Sequence, residues 1–266
     1  MAKTNKKERQ VSMCGIIGAA SSRSVGEILI QGLQLMEYRG YDSAGIALNQ
    51  EQQVLRLRAL GKVSKLEDLM IENKPKATSG IAHTRWATHG APSEENAHPH
   101  GSHDQVYIVH NGIIENHDEI RTQLKNEGYE INSQTDSELI AHLIHLYKKE
   151  DDNTLTALIK ATKKLKGAYS IAVIDSNQKD KVFAARQKSP LLIGKGIEEN
   201  FVASDPLAII NITQSFYLLE DGDFAEITKD DIKIFNHKNI PQKREETLIE
   251  TPATATTKGS YKHFME

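Results

Sequence analysis

Hydrophobic residues follow two periods along this chain, and each period predicts one kind of secondary structure. Short apolar or alternating runs between polar segments are typical of strands. They predict strands at 16–19, 45–48, 54–57, 81–84, 106–110, 169–174, 182–184, 191–193, 216–219, 224–227 and 232–235. Apolar residues spaced three and four apart predict helices over 25–36, 118–126, 136–148 and 154–165. A capping box of Ser24 and Glu27 is expected to open the first helix, and Gly167 to stop the last.

The order of these elements indicates the fold class. Strands and helices come in blocks without regular alternation, which favours an α+β fold with mainly antiparallel sheet. Residues 1–13 carry four basic side chains against one acidic side chain, so we expect a polar tail that lies outside the fold. Residues 251–258 have the composition of a linker, and 259–266 either dock on the domain or begin a further module. These boundaries predict one domain over 14–250.

The composition excludes several classes of protein. Of the 266 residues, 38% are hydrophobic and 26% are charged, which is typical of a folded globular protein and not of a disordered one. A net charge of −3 disfavours nucleic acid as a partner, because proteins that bind phosphate backbones carry a basic surplus. No apolar run reaches the ~18 residues that span a membrane, and the amino terminus lacks the apolar middle of a secretory signal. We therefore expect a cytoplasmic protein with no membrane partner.

The single cysteine, Cys14, lies directly ahead of the first predicted strand. One cysteine cannot form an internal disulfide or a zinc site of several cysteines. Two interpretations remain, an inert buried thiol or a nucleophile.

Six of the eleven histidines fall between positions 83 and 110. This density invites a metal-dependent hydrolase as one hypothesis. The sequence contains no HExxH motif, no paired Cys and His ligands, and no helical i, i+4 pair within this cluster, so we predict no metal. The simpler interpretation is that these histidines lie in loops and at strand ends, where they bond to the backbone and shape a rim.

Three further polar positions each allow two interpretations. Arg85, at the end of a predicted strand, could hold a carboxylate through its guanidinium fork or form an ordinary surface ion pair. Asn111 and Gly112 could form a hairpin turn or a pair of donors for an oxyanion. Asp136 opens a predicted helix, where a carboxylate commonly caps the helix and complements its dipole.

Six motifs in this order resemble one family. They are CGIIG at 14–18, EYRGYDSAG at 37–45, HTRWATHG at 83–90, NAHPH at 96–100, HNGIIEN at 110–116 and TDSE at 135–138. Across 14–265 the chain resembles the glutaminase half of the glutamine–fructose-6-phosphate aminotransferases, which are class II glutamine amidotransferases. The resemblance implies an N-terminal-nucleophile (Ntn) hydrolase fold, a four-layer αββα sandwich of two mainly antiparallel sheets between helical layers. It implies hydrolysis of L-glutamine to glutamate and ammonia, without a cofactor.

The resemblance also implies a role for each site residue. Cys14 would attack the amide carbon, with its own α-amino group as the base, while Asn111 and Gly112 hold the oxyanion. The α-carboxylate of glutamine would bind Arg85, with help from Thr88 and His89. The α-ammonium group would bind Asp136 and the Gly112 carbonyl group.

Two other residues receive supporting roles from the same resemblance. Arg39 would lie beside the thiol, where a cation favours the thiolate. Trp86 would lie in a loop that closes over glutamine and helps to gate the passage of ammonia.

The two ends of the chain differ from the family pattern. In the family the nucleophile follows the initiator methionine, whereas here twelve residues precede Met13. We expect residues 1–13 to be absent from the active protein, either cleaved or never translated. If they stay, the alternative is a catalytically silent glutamine-binding or assembly module. The family's sugar-isomerase domain would begin near residue 266, so we expect that partner, and any homo-oligomer formed through it, to be missing here.

Overall fold

The computed structural model of this chain describes residues 14–39, 41–51, 53–86 and 91–249. The strands in this part are β1 Gly15–Ser21, β2 Ser43–Asn49, β3 Val54–Leu60, β4 Ser79–Arg85, β5 His100–Ser102, β6 Val106–Ile114, β7 Gly167–Asp175, β8 Gln178–Gln187, β9 Leu192–Lys195, β10 Glu199–Ala203, β11 Ser215–Leu218, β12 Phe224–Ile227, β13 Ile232–Phe235, β14 Pro241–Gln242 and β15 Glu246–Leu248. The α-helices are α1 Gly26–Met36, α2 Val63–Asn73, α3 His117–Asn126, α4 Ser137–Lys148 and α5 Thr154–Thr162. Short 3₁₀ helices cover Glu37–Arg39 and Pro206–Ala208.

The described strands form two sheets. The first sheet has eight strands in the order β15-β11-β9-β10-β1-β4-β2-β3, and the second has seven in the order β14-β13-β12-β8-β7-β6-β5. Every pair of neighbouring strands is antiparallel. The predicted α+β class with mainly antiparallel sheet is therefore confirmed.

Alternating side chains of each central strand divide the core into layers. In β1, Ile17 and Ala19 pack in the cluster that contains the apolar faces of α1 and α2. Ile16 and Ala20 point the other way, into the cluster between the two sheets. Residues of α3, α4 and α5 pack on the outer face of the second sheet. The result is the four-layer αββα sandwich that the resemblance implied.

Most predicted elements are present, with boundaries that differ by a few residues. The helix predicted over 154–165 ends at Thr162, because a turn at 163–164 and two irregular residues lead into β7 at Gly167. Helix α2 was not predicted, although its buried residues Val63, Leu66 and Met70 have helical spacing. Strands β5, β10, β14 and β15 were also not predicted; three of these four have no more than three residues.

The predicted capping box at Ser24 and Glu27 is wrong. Helix α1 begins at Gly26, its N-cap residue is Val25, and no side chain caps it. The Val25 N–H donates to the Ala77 carbonyl at 2.9 Å. A tertiary backbone bond therefore sets the start of this helix, and Ser24 remains exposed.

The predictions about membrane segments and about domain boundaries can be compared with the described residues only. None of the helices in the described residues is long and apolar enough to cross a membrane. The predicted segments 1–13 and 251–266 lie outside the described residues, as does position 250, so the domain boundaries stay predictions.

Candidate active site

Cys14 lies at the start of β1, where this strand pairs with the end of β4. The Gly15 N–H donates to the Thr84 hydroxyl at 3.2 Å, which ties the residue after the cysteine to the neighbouring strand. The backbone N–H of Trp86 donates to the Cys14 thiol sulfur at 3.2 Å, and the thiol donates to the Trp86 carbonyl at 3.6 Å. The cysteine is partly buried and in the reduced form. Its sulfur is held by the backbone that immediately follows β4.

The surroundings of Cys14 favour the neutral thiol. Burial raises the pKa of the Cys14 thiol, and this effect outweighs the opposing effects of the Trp86 backbone and the Arg85 charge. Because the thiolate is the reactive nucleophile, this cysteine needs a base that takes its proton.

The second sheet brings Asn111 and Gly112, which lie on β6, to the same place. The Asn111 side-chain amide donates to the Cys14 carbonyl at 2.9 Å, although the two residues are far apart in sequence. Gly112 has a φ of +136°, a conformation that side chains rarely adopt. A Cβ atom at this position would also collide with the Ala168 carbonyl. The backbone at Gly112 therefore requires glycine.

Asp136 is the N-cap residue of α4, as the sequence predicted, but its carboxylate does not cap that helix. One carboxylate oxygen accepts from the Ile114 N–H at 2.7 Å, and the Ser137 hydroxyl donates to the other at 3.4 Å. The side chain is thus held by β6 and faces the pocket described below.

Arg85, the last residue of β4, is 4% exposed. Its Nη1 atom lies 3.6 Å from a carboxylate oxygen of Asp42, which precedes β2. The surface ion pair that the sequence also allowed is therefore not what is observed, because this guanidinium is buried. A buried guanidinium is a favourable partner for a carboxylate, since little solvent competes with it.

These side chains surround one pocket of about 330 Å³, its open mouth included. Its lining residues are Cys14, Arg85, Trp86, His98, His110, Gly112, Thr135, Asp136 and Ser137. Asn111 lies behind this lining, in contact with Cys14. Thr88 and His89 lie outside the described residues, and so does the side chain of Arg39.

Sequence reasoning did not assign His98, His110, Thr135 or Ser137 to the pocket. All four lie within the quoted motifs NAHPH, HNGIIEN and TDSE, from which only Asn111, Gly112 and Asp136 were carried over. The signal that could have identified them is their position in sequence beside predicted site residues. Where a strand ends or a helix begins, consecutive residues can line the same cavity, so the sequence neighbours of a site residue are also candidates for the site.

Four histidines near the pocket are buried and carry low pKa values. Burial lowers the pKa of His83 and of His100 to about 3, lowers that of His98 well below its ordinary value, and lowers that of His110. The rings of His83 and His98 lie 4.1 Å apart between centroids. Neutral imidazoles can lie this close because they do not repel one another as two cations would.

The hypothesis of a metal site gains no support from this arrangement. Within the described residues, no group of three or more histidine, cysteine, aspartate or glutamate side chains is placed to hold a metal ion. His110 Nδ1 instead bonds to the Ser137 hydroxyl at 2.9 Å, and His100 Nε2 bonds to the Thr135 hydroxyl at 3.0 Å. These histidines contact the residues beside Asp136, and both are buried. That the histidines shape a rim stays a prediction.

Comparisons with known proteins agree with this geometry. A family model described as a glutamine amidotransferase domain matches residues 83–211. Glutamine–fructose-6-phosphate aminotransferase [isomerizing] of Pseudomonas putida is 51% identical over 254 residues, 95% of this chain and 42% of that protein. The enzyme of the same name from Haemophilus influenzae is 50% identical over 255 residues, 96% of this chain and 42% of that protein.

Solved structures show the same architecture. Glutamine phosphoribosylpyrophosphate amidotransferase of B. subtilis matches with a TM-score of 0.73 at 24% identity, covering 84% of this chain and 49% of that one. A glutamine aminotransferase class-II domain protein from Silicibacter pomeroyi matches with a TM-score of 0.60 at 16% identity, covering 84% and 99%. At these identities the likeness supports the fold alone.

The sandwich fold and the family match together define a class II glutamine amidotransferase domain with the Ntn hydrolase architecture. Within that class, the chain is similar to the glutamine–fructose-6-phosphate aminotransferases, at about 50% identity over nearly its whole length. It spans about 42% of the length of these relatives.

Proposed function

We propose that this domain hydrolyses L-glutamine to glutamate and ammonia through a γ-glutamyl thioester on Cys14. One observation carries the proposal. The Cys14 thiol, the Arg85 guanidinium and the Asp136 carboxylate line a single pocket. A nucleophile beside one positive and one negative side chain fits a substrate that carries an amide, an α-carboxylate and an α-ammonium group.

The two charged side chains account for selectivity toward the free amino acid. Arg85 binds the α-carboxylate, with Thr88 and His89 assisting. Asp136 and the Gly112 carbonyl bind the α-ammonium group. Glutamine within a peptide lacks both charges, so neither Arg85 nor Asp136 would gain an oppositely charged group from the substrate. A polar group that is desolvated without a matching partner costs about 1–3 kcal/mol.

The reaction begins with transfer of the thiol proton to the α-amino group of Cys14. An α-amine with a pKa of about 8 is a suitable base at neutral pH, and the buried thiol needs one. The sulfur attacks the amide carbon, and the Asn111 Nδ2 and Gly112 N–H groups donate to the resulting oxyanion. Collapse breaks the C–N bond, and the ammonium group of Cys14 returns the proton to the departing ammonia. Water then cleaves the thioester and releases glutamate.

This chemistry requires that Cys14 be the first residue. With residues 1–13 attached, the nitrogen of Cys14 is an amide and cannot act as a base. The active form therefore begins at Cys14, through removal of the tail or through translation from Met13. The silent glutamine-binding module is the alternative for a chain that keeps its tail.

Two further residues take supporting roles in the proposal. Trp86 is 43% exposed, and its backbone holds the thiol sulfur. In the proposal its loop closes over bound glutamine and gates the ammonia, since exposure to water would convert ammonia to non-nucleophilic ammonium. For Arg39 the proposal keeps the role that the resemblance implies, a positive charge near the thiol.

The relatives suggest how the ammonia is used. Their name states that they aminate fructose 6-phosphate, and they are more than twice as long as this chain. We propose that the ammonia formed here serves the same amination in a sugar-isomerase domain of the full-length protein. The reaction would take place in the cytoplasm, and the protein would form a homo-oligomer through that domain.

A glutamate-release assay on two forms of the protein tests the hydrolysis. One form is the full chain, the other begins at Cys14, and mass spectrometry identifies the first residue of each. We expect turnover only where Cys14 is first. N-acetylglutamine, which lacks the α-ammonium group, serves as the matched substrate control and should react poorly. Activity of a chain that still carries Lys3 would refute the role of the α-amine, and inactivity of both forms would refute the hydrolysis.

A further inference from the structure

We propose that His83 is a positioning residue that orients the Asn111 amide for the oxyanion. The inference rests on the proposed function and adds a residue to it. It begins from a chain of two hydrogen bonds that joins the sheets. His83 Nε2 lies 2.9 Å from Asn111 Oδ1, and Asn111 Nδ2 lies 2.9 Å from the Cys14 carbonyl oxygen.

The chemistry of these groups fixes every proton in the chain. The Cys14 carbonyl can only accept, so the atom of Asn111 that faces it must be the amide nitrogen. Asn111 Oδ1 then faces His83 and can also only accept. His83 Nε2 must therefore carry a hydrogen and donate it. The amide nitrogen has a second hydrogen, which remains for the oxyanion beside the thiol.

The surroundings keep His83 in one protonation state. Its ring is 1% exposed and packs against the ring of His98. His110 and Arg85 lie close enough to oppose a further positive charge, in addition to the effect of burial. The neutral ring therefore offers the same Nε2–H donor throughout the range in which the enzyme works.

Removal of this donor would leave the orientation of the Asn111 amide to its bond with the Cys14 carbonyl alone. The terminal torsion of asparagine is broad and roughly two-fold, so sterics alone do not choose between its oxygen and its nitrogen. An amide oxygen turned toward the oxyanion would repel it. His83 thus places the donor before the substrate arrives, and such preorganised donors are the effective ones.

A pair of variants separates this role from simple packing. His83→Leu keeps the bulk but removes the donor, whereas His83→Gln keeps an N–H near the position of Nε2. We expect His83→Leu to lower kcat roughly 30-fold with KM changed less than about threefold, because a misaligned oxyanion donor loses part of the ~10²–10³ that one donor contributes. His83→Gln should retain kcat within about threefold.

A second test asks whether His83 acts through Asn111. In an Asn111→Ala background, His83→Leu should lower kcat by less than about threefold, because the group it orients is gone. His145→Leu is the matched control. His145 is also buried and bonded to one side chain, the Tyr129 hydroxyl at 2.8 Å, but it does not line the pocket, so its kcat should be unchanged.

The tautomer can be measured without any substitution. Nitrogen NMR of the His83 ring should show the Nε2–H form, with no titration between about pH 5 and 8. A ring with its hydrogen on Nδ1 and none on Nε2 would overturn the proposal. So would a double variant in which the losses in kcat from His83→Leu and Asn111→Ala are additive, or a His83→Gln variant with a kcat as low as that of His83→Leu. All variants are made in whichever form hydrolyses glutamine. An inactive wild type refutes the proposed function, whereas an active wild type with a fully active His83→Leu refutes only the role of His83.

Discussion

The two sheets contribute chemically different halves of the pocket. The first sheet provides the nucleophile and the buried cation, with Cys14 at the start of β1 and Arg85 at the end of β4. The second sheet and the helix behind it provide Asn111, Gly112 and Asp136. Neither half can both attack an amide and stabilise the resulting anion. The pocket is therefore a property of the packed pair of sheets and not of either sheet alone.

Polar contacts between the sheets hold these halves in register. Asn111 of β6 reaches Cys14, which precedes β1, at the pocket. Where β2 and β7 end, Asn49 Nδ2 donates to the Asp175 carbonyl at 3.3 Å. Apolar residues such as Ile16 and Val109 fill the layer between. Since apolar packing tolerates small shifts and hydrogen bonds do not, we infer that the polar contacts fix the position of the thiol relative to its donors.

The largest effect is expected from the half that attacks. Cys14→Ser should lower glutamate release on the order of 10⁴-fold or more, because a hydroxyl ionises far less readily than a thiol and the α-amine cannot compensate. Glutamine binding, measured by calorimetry, should change less than about threefold, since Arg85 and Asp136 are untouched. Loss of binding together with turnover would show that Arg85 and Asp136 do not hold glutamine independently of the thiol.

Asp136, in the other half, should affect binding more than chemistry. Asp136→Asn keeps the shape and can still accept from the Ile114 N–H, but it cannot pair with an ammonium group. We expect KM for glutamine to rise roughly 100-fold, the equivalent of about 3 kcal/mol, with kcat changed less than about threefold. Steady-state kinetics with glutamine and with its analogue that lacks the α-amino group provide the check. The wild type and the variant should differ little toward the analogue.

A backbone change in β6 should affect both stability and activity. Gly112→Ala forces a side chain into a φ of +136° and against the Ala168 carbonyl, so we expect a loss of about 2–3 kcal/mol in the free energy of unfolding and a lower kcat. Urea unfolding measures the first quantity. Gly128→Ala is the matched control, because its φ is +81° but a Cβ there meets nothing within 4 Å. It should cost about 1 kcal/mol and leave kcat unchanged.

Much of the first sheet could be predicted from sequence, whereas the pocket could be predicted only in part. The apolar run after Cys14 and the pattern that ends at Arg85 predict β1 and β4, because burial of alternating side chains leaves a local signal. The pairing of Asn111 with Cys14 and with His83 leaves no such signal, since it depends on how two sheets pack. The resemblance pointed to Asn111 but not to His83, which acts on the site through another residue.

The smallest effect on activity is expected from Glu138, which supports the turn ahead of Asp136. Its carboxylate accepts from the Asn132 N–H at 2.9 Å and from the Ser133 N–H at 2.6 Å. Burial by itself raises the pKa of Glu138, but these hydrogen bonds and one from His142 outweigh it and lower the pKa to about 2.

A carboxyl group whose pKa is lowered on folding stabilises the fold above its ordinary pKa, here 4.5, and loses that contribution as the pH falls toward about 2. Glu138→Gln should therefore reduce the free energy of unfolding by about 1.5–3 kcal/mol at neutral pH, through the loss of hydrogen bonds to a charged group, and should flatten its decline in acid. Urea unfolding across this range measures both effects. The exposed Glu130→Gln should leave the curve within about 0.5 kcal/mol of wild type. An equally steep acid decline in Glu138→Gln would mean that another carboxylate anchors this half of the pocket.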